Sequence, residues 1–251
     1  TAGCGATARP PEAPDAGDAA YLATTSGSTG TPKAVVIEHG ALGSFARAAV
    51  APYGFARTDR VLQFSALAFD ASIEEIFGAL TSGAALVLRD DAMLGDPVQF
   101  VERCAEERVT VLDLPTAYWH RLCATLQGLE RDLPESVRLV IEATVVVASH
   151  PGAPEPEDPR RRVVPIGTAF GEAELHVVDE RGRPLPDGLV GELWIGGPTV
   201  ARGYLGRPAE TARRFVPDPC SGRAGARVYR SGDLVRRRPS GAIEFVGRAD
   251  R

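Results

Sequence analysis

From Thr25 to Lys33 the chain reads TSGSTGTPK: five hydroxyl side chains, two glycines, a proline and a lysine. Glycines let a backbone turn tightly and point successive N–H groups at an anion. Hydroxyls add further donors, and a lysine adds a mobile positive charge. The chemistry is phosphate binding. The alternative is a Ser/Gly surface loop, which composition alone also allows. One count favours chemistry: of 28 Lys plus Arg, only Lys33 is a lysine. The order is not Gly-x-x-x-x-Gly-Lys-Ser/Thr, so a P-loop nucleotidase is disfavoured. Carboxylates form a second group. Asp70, in AFDAS, precedes a helical pattern and suits an N-cap. Ala71 shares that helical start, and Glu74 lies four residues beyond Asp70, on a similar face. Asp113 ends the strand-like VTVLD, and strand ends are where open α/β sheets bind ligands. Taken alone, Glu74 reads as a solvated helix charge, Asp113 as a turn carboxylate, and Asp233, in YRSGD, as a turn residue after Gly232.

These residues need a scaffold, and the hydrophobic pattern supplies one. Residues 1–19 read as a flexible lead-in. Strands are expected at 35–37, 61–65, 84–88 and 109–112, with helices at 39–50, 72–80, 97–108 and 116–126 between and after them. That rhythm predicts α/β layering around a mostly parallel sheet over residues 20–162. From 163 to 251 the pattern turns β-rich, with strands expected at 174–178, 192–195, 228–229, 234–237 and 243–246. The chain has 251 residues, is 44% hydrophobic and carries a net charge of −5. That acidity argues against a nucleic-acid partner. No apolar run reaches the ~20 residues of a membrane span, and the start does not read as a signal peptide, so a cytoplasmic address is expected. Cys4, Cys104, Cys123 and Cys220 show no metal-ligand spacing and read as ordinary reduced thiols.

Several segments, in order, resemble one family. TSGSTGTPKAV is similar to the phosphate-binding signature of the adenylate-forming, AMP-binding superfamily, with Ala34 where glycine is usual. FSALAFDASIEEIFGALTSGAALVL (64–88), GELWIGGPTVARGYLGRPAETARRFVPDP (191–219) and YRSGDLVRRRPSGAIEFVGRADR (229–251) resemble later motifs of amino-acid adenylation domains of nonribosomal peptide synthetases. The resemblance covers about residues 20–251. It implies the large N-terminal core of the adenylate-forming fold, incomplete. It implies activation of an amino acid with ATP and Mg2+ to aminoacyl-AMP and pyrophosphate. The aminoacyl group would then pass to phosphopantetheine on a partner carrier domain, beside condensation domains, in an antibiotic-making megasynthase. Two other readings stay open: an acyl-CoA or aryl-acid ligase of the same superfamily, and a non-catalytic remnant acting as a structural linker.

The resemblance also assigns roles. Thr25, Ser26, Gly27, Ser28, Thr29, Gly30 and Lys33 would hold ATP phosphates, Asp233 the ribose hydroxyls, and Arg248 a second nucleotide contact. Glu142 would contact Mg2+. Asp70 would pair with the substrate α-ammonium, while Ala71, Glu74 and Asp113 line the side-chain pocket and Val140, Val145 and Val146 supply apolar wall. Two acids facing one pocket repel unless a cation sits between them, so a basic substrate is expected: lysine, ornithine or a related diamino acid. Three departures accompany the match. About 150 residues, the size of a small domain, are expected before the phosphate loop. Asp250 matches the interdomain hinge, beyond which the family carries its small C-terminal domain. Ile141 joins directly to EATVVVASH, where a longer segment ending in the glutamate equivalent to Glu142 is usual.

Overall fold

The computed structural model describes residues 13–25, 32–143, 148–149 and 165–249. Strands β1 (Ala19–Thr25) and β2 (Lys33–Glu38) form an antiparallel ladder in which Thr25 stands opposite Lys33. The strand expected at 35–37 therefore exists but lies outside the parallel sheet. Helix α1 (His39–Tyr53) follows and closes on Gly54, whose φ of 58° is the left-handed conformation that glycine tolerates best. Then come β3 (Arg60–Gln63), α2 (Ala71–Ser82), β4 (Ala85–Leu88), the single turn α3 (Ala92–Gly95), α4 (Pro97–Glu106), β5 (Val111–Pro115), α5 (Thr116–Gly128) and β6 (Leu139–Ala143). The start of α4 follows from sequence: Asp96 accepts from the Val98 N–H, and Pro97 sits in the first turn, where no N–H is needed.

Strands β3 to β6 make a four-stranded parallel sheet in the order β4-β3-β5-β6, as the alternating pattern predicts. Strand alternation sorts its side chains onto two faces. Val61, Val111 and Ile141 pack with Phe55 and Ala79 on the α1 and α2 side. Leu62, Leu112 and Leu114 pack with Phe100, Leu122 and Leu126 on the α4 and α5 side. Helix α2 can press onto its neighbour because residue 78 is glycine: a Cβ there would lie 2.4 Å from Phe55 Cε2.

The second half is antiparallel. Strands β7 (Ala148–Ser149), β8 (Pro165–Ala169), β9 (Glu174–Val178) and β10 (Val190–Gly196) lead to β11 (Gly203–Tyr204), which pairs with β2. Helix α6 (Pro208–Arg214), β12 (Phe215–Pro217), β13 (Arg227–Arg237) and β14 (Ile243–Arg248) complete the chain of elements. A seven-stranded sheet runs β7-β8-β14-β13-β10-β9, with β12 also on β13. The strands expected at 228–229 and 234–237 are one strand. Gly232 does not end it: at φ 78° it forms a bulge, where Glu192 faces Leu234 but Trp194 faces Arg230. The two halves meet where Phe45 and Tyr53 of α1 stack near Phe170 and where Ser44 donates to Glu172. Among the described residues, no helix is long and apolar enough to cross a membrane.

Candidate active site

Asp113 lies near the carboxyl end of β5, in register with Ile141 and two residues beyond Val111. Alternation therefore directs it to the α1 and α2 side, at a position an aliphatic residue would normally take. It is 1% exposed, and Glu74, from the first turn of α2, is 2% exposed. None of their four carboxylate oxygens has a hydrogen-bond partner of normal geometry among the described residues. Burial pushes both acids well above the ordinary carboxylate range, and the charge of Glu74 pushes Asp113 further. Tyr53, at the end of α1, completes the cluster: burial, then Glu74 and Asp113, raise its hydroxyl. A third acid, Glu75, is equally buried at 1% but accepts from Ser65 N at 2.9 Å and Gln63 Nε2 at 3.1 Å. Glu75 is thus a structural carboxylate. Glu74 and Asp113 are a pair awaiting a proton or a cation.

Asp70 stands at the start of α2, close enough for its charge to act on Glu74. It is exposed, and its Oδ1 accepts from Ala71 N at 3.0 Å, so it holds the start of α2 as an N-terminal cap. After burial and the contact with Asp113, its charge is the next influence on Glu74. The β1 strand runs past the same turn: Thr24 Oγ1 donates to the Ala68 carbonyl at 3.2 Å. Tyr21 is pushed up to about 12 by burial and by Asp70. The turn bearing Asp70 thus abuts the flank of the candidate phosphate loop. Ala71 is half-buried beside it.

Val140 does not join them. It is in register with Leu112 and packs with the Leu112 and Leu114 cluster on the opposite face of the sheet. Ile141 is the β6 residue on the Asp113 side. The period of two explains the difference, since a shift of one residue reverses the face.

Of the phosphate loop, Ser26, Gly27, Ser28, Thr29 and Gly30 lie outside the described residues, as do Val145, Val146 and Asp250. Thr25 ends β1, and Lys33 begins β2. Lys33 Nζ makes a salt bridge to Glu210 of α6 and lies 5.4 Å from the centre of the Tyr204 ring. Glu142 is placed by its backbone, opposite Leu114. Asp233 sits on the β13 bulge. Its N–H donates to Ser231 Oγ at 3.0 Å, and Arg248 Nη1 donates to its Oδ1 at 2.8 Å across the β13–β14 ladder. Asp233 and Arg248 are therefore together. Sequence reasoning missed Tyr53, Glu75 and Glu210. Only Glu75 carried a signal: it occupies a helix position next to an acid already singled out.

The AMP-binding enzyme family model matches residues 2–141 and 141–205. The chain belongs to this family. Isonitrile lipopeptide synthase of Streptomyces coeruleorubidus is 40% identical over 258 residues, covering 93% of this chain and 17% of that protein. Phosphinothricin tripeptide synthetase PhsC of Streptomyces viridochromogenes is 38% identical over 262 residues, covering 96% of this chain and 23% of that one. Among solved structures, the AMPPNP-bound form of the nonribosomal peptide synthetase FmoA3 superposes with a TM-score of 0.77 at 28% identity, over 94% of this chain and 28% of its own. This AMP-binding chain thus spans only a small part of the curated relatives it matches.

Proposed function

We propose that the chain carries the amino-acid adenylation core of a nonribosomal peptide synthetase and that its substrate has a basic side chain. The observation that carries the reading is the pair Glu74 and Asp113, buried against each other and Tyr53, close to the exposed Asp70, whose turn abuts the flank of the phosphate loop. Asp70 takes the α-ammonium. Glu74 and Asp113 take the side-chain ammonium. The three carboxylates meet two cations, leaving one shared negative charge. The substrate carboxylate attacks the α-phosphorus of ATP, a P–O bond forms, and pyrophosphate leaves. Little acid–base work is required, so the chain acts by orientation and charge neutralisation. The Thr25–Lys33 segment neutralises the phosphates, and Asp233 with Arg248 addresses the nucleoside. Glu142 is the proposed Mg2+ contact. A carrier-protein phosphopantetheine thiol then attacks the acyl carbon; the thioester forms, the acyl–phosphate bond breaks, and AMP and the thiol proton leave.

The likeness to a lipopeptide synthase and a tripeptide synthetase supports the adenylation part of this reading, as does the TM-score of 0.79 to FmoA3 bound to α-methyl-L-serine-AMP. An aryl-acid or acyl-CoA ligase has no α-ammonium for Asp70 to meet. ATP–pyrophosphate exchange in the protein that bears this chain separates the classes. Exchange driven by amino acids is expected. Exchange driven by aryl or fatty acids alone contradicts the proposal.

A further inference from the structure

Away from the Glu74–Asp113 cluster, three side chains of different chemistry converge in the antiparallel half. His176 lies on β9, and Asp218 and Cys220 lie in the loop after β12. The cysteines show no metal spacing along the sequence, but folding brings one beside a histidine and a carboxylate. We infer that His176, Asp218 and Cys220 bind a single divalent transition-metal ion of the zinc class. Their donor atoms all lie within 4.8 Å of one another. His176 Nε2 and Asp218 Oδ2 are buried and, among the described residues, have no hydrogen-bond partner of normal geometry.

Both atoms also point at one spot. Gly196, on the neighbouring strand β10, has no side chain, and a Cβ there would lie 3.4 Å from His176 Nε2 and 3.5 Å from Asp218 Oδ2. The aspartate is held in place by its other oxygen: Oδ1 accepts from Cys220 N at 2.8 Å and Ser221 N at 3.2 Å. That turn leaves Oδ2 for the histidine side and brings the Cys220 thiol round to the same face. Glu174 Oε2 stands 3.7 Å from His176 Nε2, at the rim, while its other oxygen pairs with Arg223 at 2.5 Å. A cleft of about 740 Å³ lined by Glu174 and Arg223 lies beside the cluster.

The donor set selects the metal. Imidazole, thiolate and carboxylate suit zinc-class ions, whereas Mg2+ and Ca2+ take oxygen ligands. A tetrahedral ion with bonds of ~2.0–2.3 Å holds its ligand atoms roughly 3.3–3.7 Å apart, so the loop side chains close in by about 1 Å. Binding forms a metal–sulfur bond and releases the Cys220 thiol proton to solvent. The ion would fasten the 218–226 loop, which leads into β13 and Asp233, to β9.

Co2+ is the probe, added to the reduced, metal-stripped chain. One equivalent is expected, with a thiolate-to-cobalt charge-transfer band, and Zn2+ displaces it. Cys220→Ser removes the band, His176→Gln weakens binding at least tenfold, and Cys123→Ser changes neither. Circular dichroism checks each fold. Should a variant misfold, the wild type alone decides: Zn2+ is expected to protect Cys220, identified by peptide mapping, from alkylation. Absence of a band in the wild type, a band that survives Cys220→Ser, affinity unchanged by His176→Gln, or unprotected Cys220 each overturns the site.

Discussion

Asp113 takes a strand position whose parity calls for an aliphatic side chain, and Glu74 faces it across the same layer. Burying two carboxylates without partners is costly, and raised proton affinity is how an isolated chain bears it. The sign follows. Below about pH 3 both acids are protonated, folded or unfolded. As pH rises, the unfolded chain releases these protons while the folded chain keeps them, so the pair erodes stability from the ordinary carboxylate range upward. Asp113→Asn is expected to gain on the wild type by at least about 1 kcal/mol between pH 5 and pH 8 in urea unfolding. A pH-independent difference would show the pair to be ionised and solvated. Lys33 shows another residue-scale tension, because its partner here is Glu210 rather than phosphate. In the protein that bears this chain, Lys33→Ala is expected to lower the proposed adenylation rate; unchanged kcat and unchanged KM for ATP would remove Lys33 from the reaction. Both acids were visible in the sequence as candidates. Their burial came only from the family resemblance, because nothing in SIEEIF by itself distinguishes Glu74 from the hydrogen-bonded Glu75.

The elements were more legible than the residues they orient. Helices α1, α2, α4 and α5 follow the sequence pattern to within a few residues, since Asp96, Pro97, Gly54 and Gly83 mark their ends locally. Long-range pairing was not legible. Nothing local places β2 against β11, and the bulge at Gly232 exists only because β10 continues alongside it. Two contacts of this kind are testable. Gly78 lets α2 approach Phe55, so Gly78→Val is expected to cost about 1–3 kcal/mol by overpacking, with partial rescue by Phe55→Leu. A neutral Gly78→Val would mean that α2 stands off. Asp59, buried before β3, accepts from Ala56 N at 2.7 Å, Thr110 Oγ1 at 2.7 Å and Arg138 Nε at 2.8 Å. Led by the Arg138 contact, these hold its carboxyl down at about 2. Its stabilisation is fully present above about pH 4 and is lost as pH falls from there through about 2. Asp59→Ala is expected to cost about 2–3 kcal/mol at pH 7 and much less at pH 2, read by urea unfolding. An equal cost at both values would exclude the charge.

At the scale of the whole molecule, the two halves are tied together around the site. Strand β11 extends the β1–β2 ladder, Glu210 of α6 reaches Lys33, and α1 packs on the segment 170–172 while its last turn supplies Tyr53 to the acid pair. The phosphate-loop flank and Asp70 therefore lie at the surface, and the pair Glu74 and Asp113 lies buried near Asp70. A ligand with an α-ammonium at one end and a second cation at the other matches that arrangement. A neutral side chain would leave Glu74 and Asp113 unpaired, a cost of at least ~3 kcal/mol by analogy with broken buried pairs, or roughly a hundredfold in selectivity. The most direct measurement is pyrophosphate exchange in the parent protein across lysine, ornithine, leucine and glutamate, repeated with Glu74→Leu. The expected result is a basic amino acid favoured about a hundredfold over leucine, with the preference eroded by Glu74→Leu. Leucine or glutamate favoured by the wild-type pocket would contradict the pairing of Glu74 and Asp113 with a substrate cation, and no exchange with any amino acid would contradict the reaction itself.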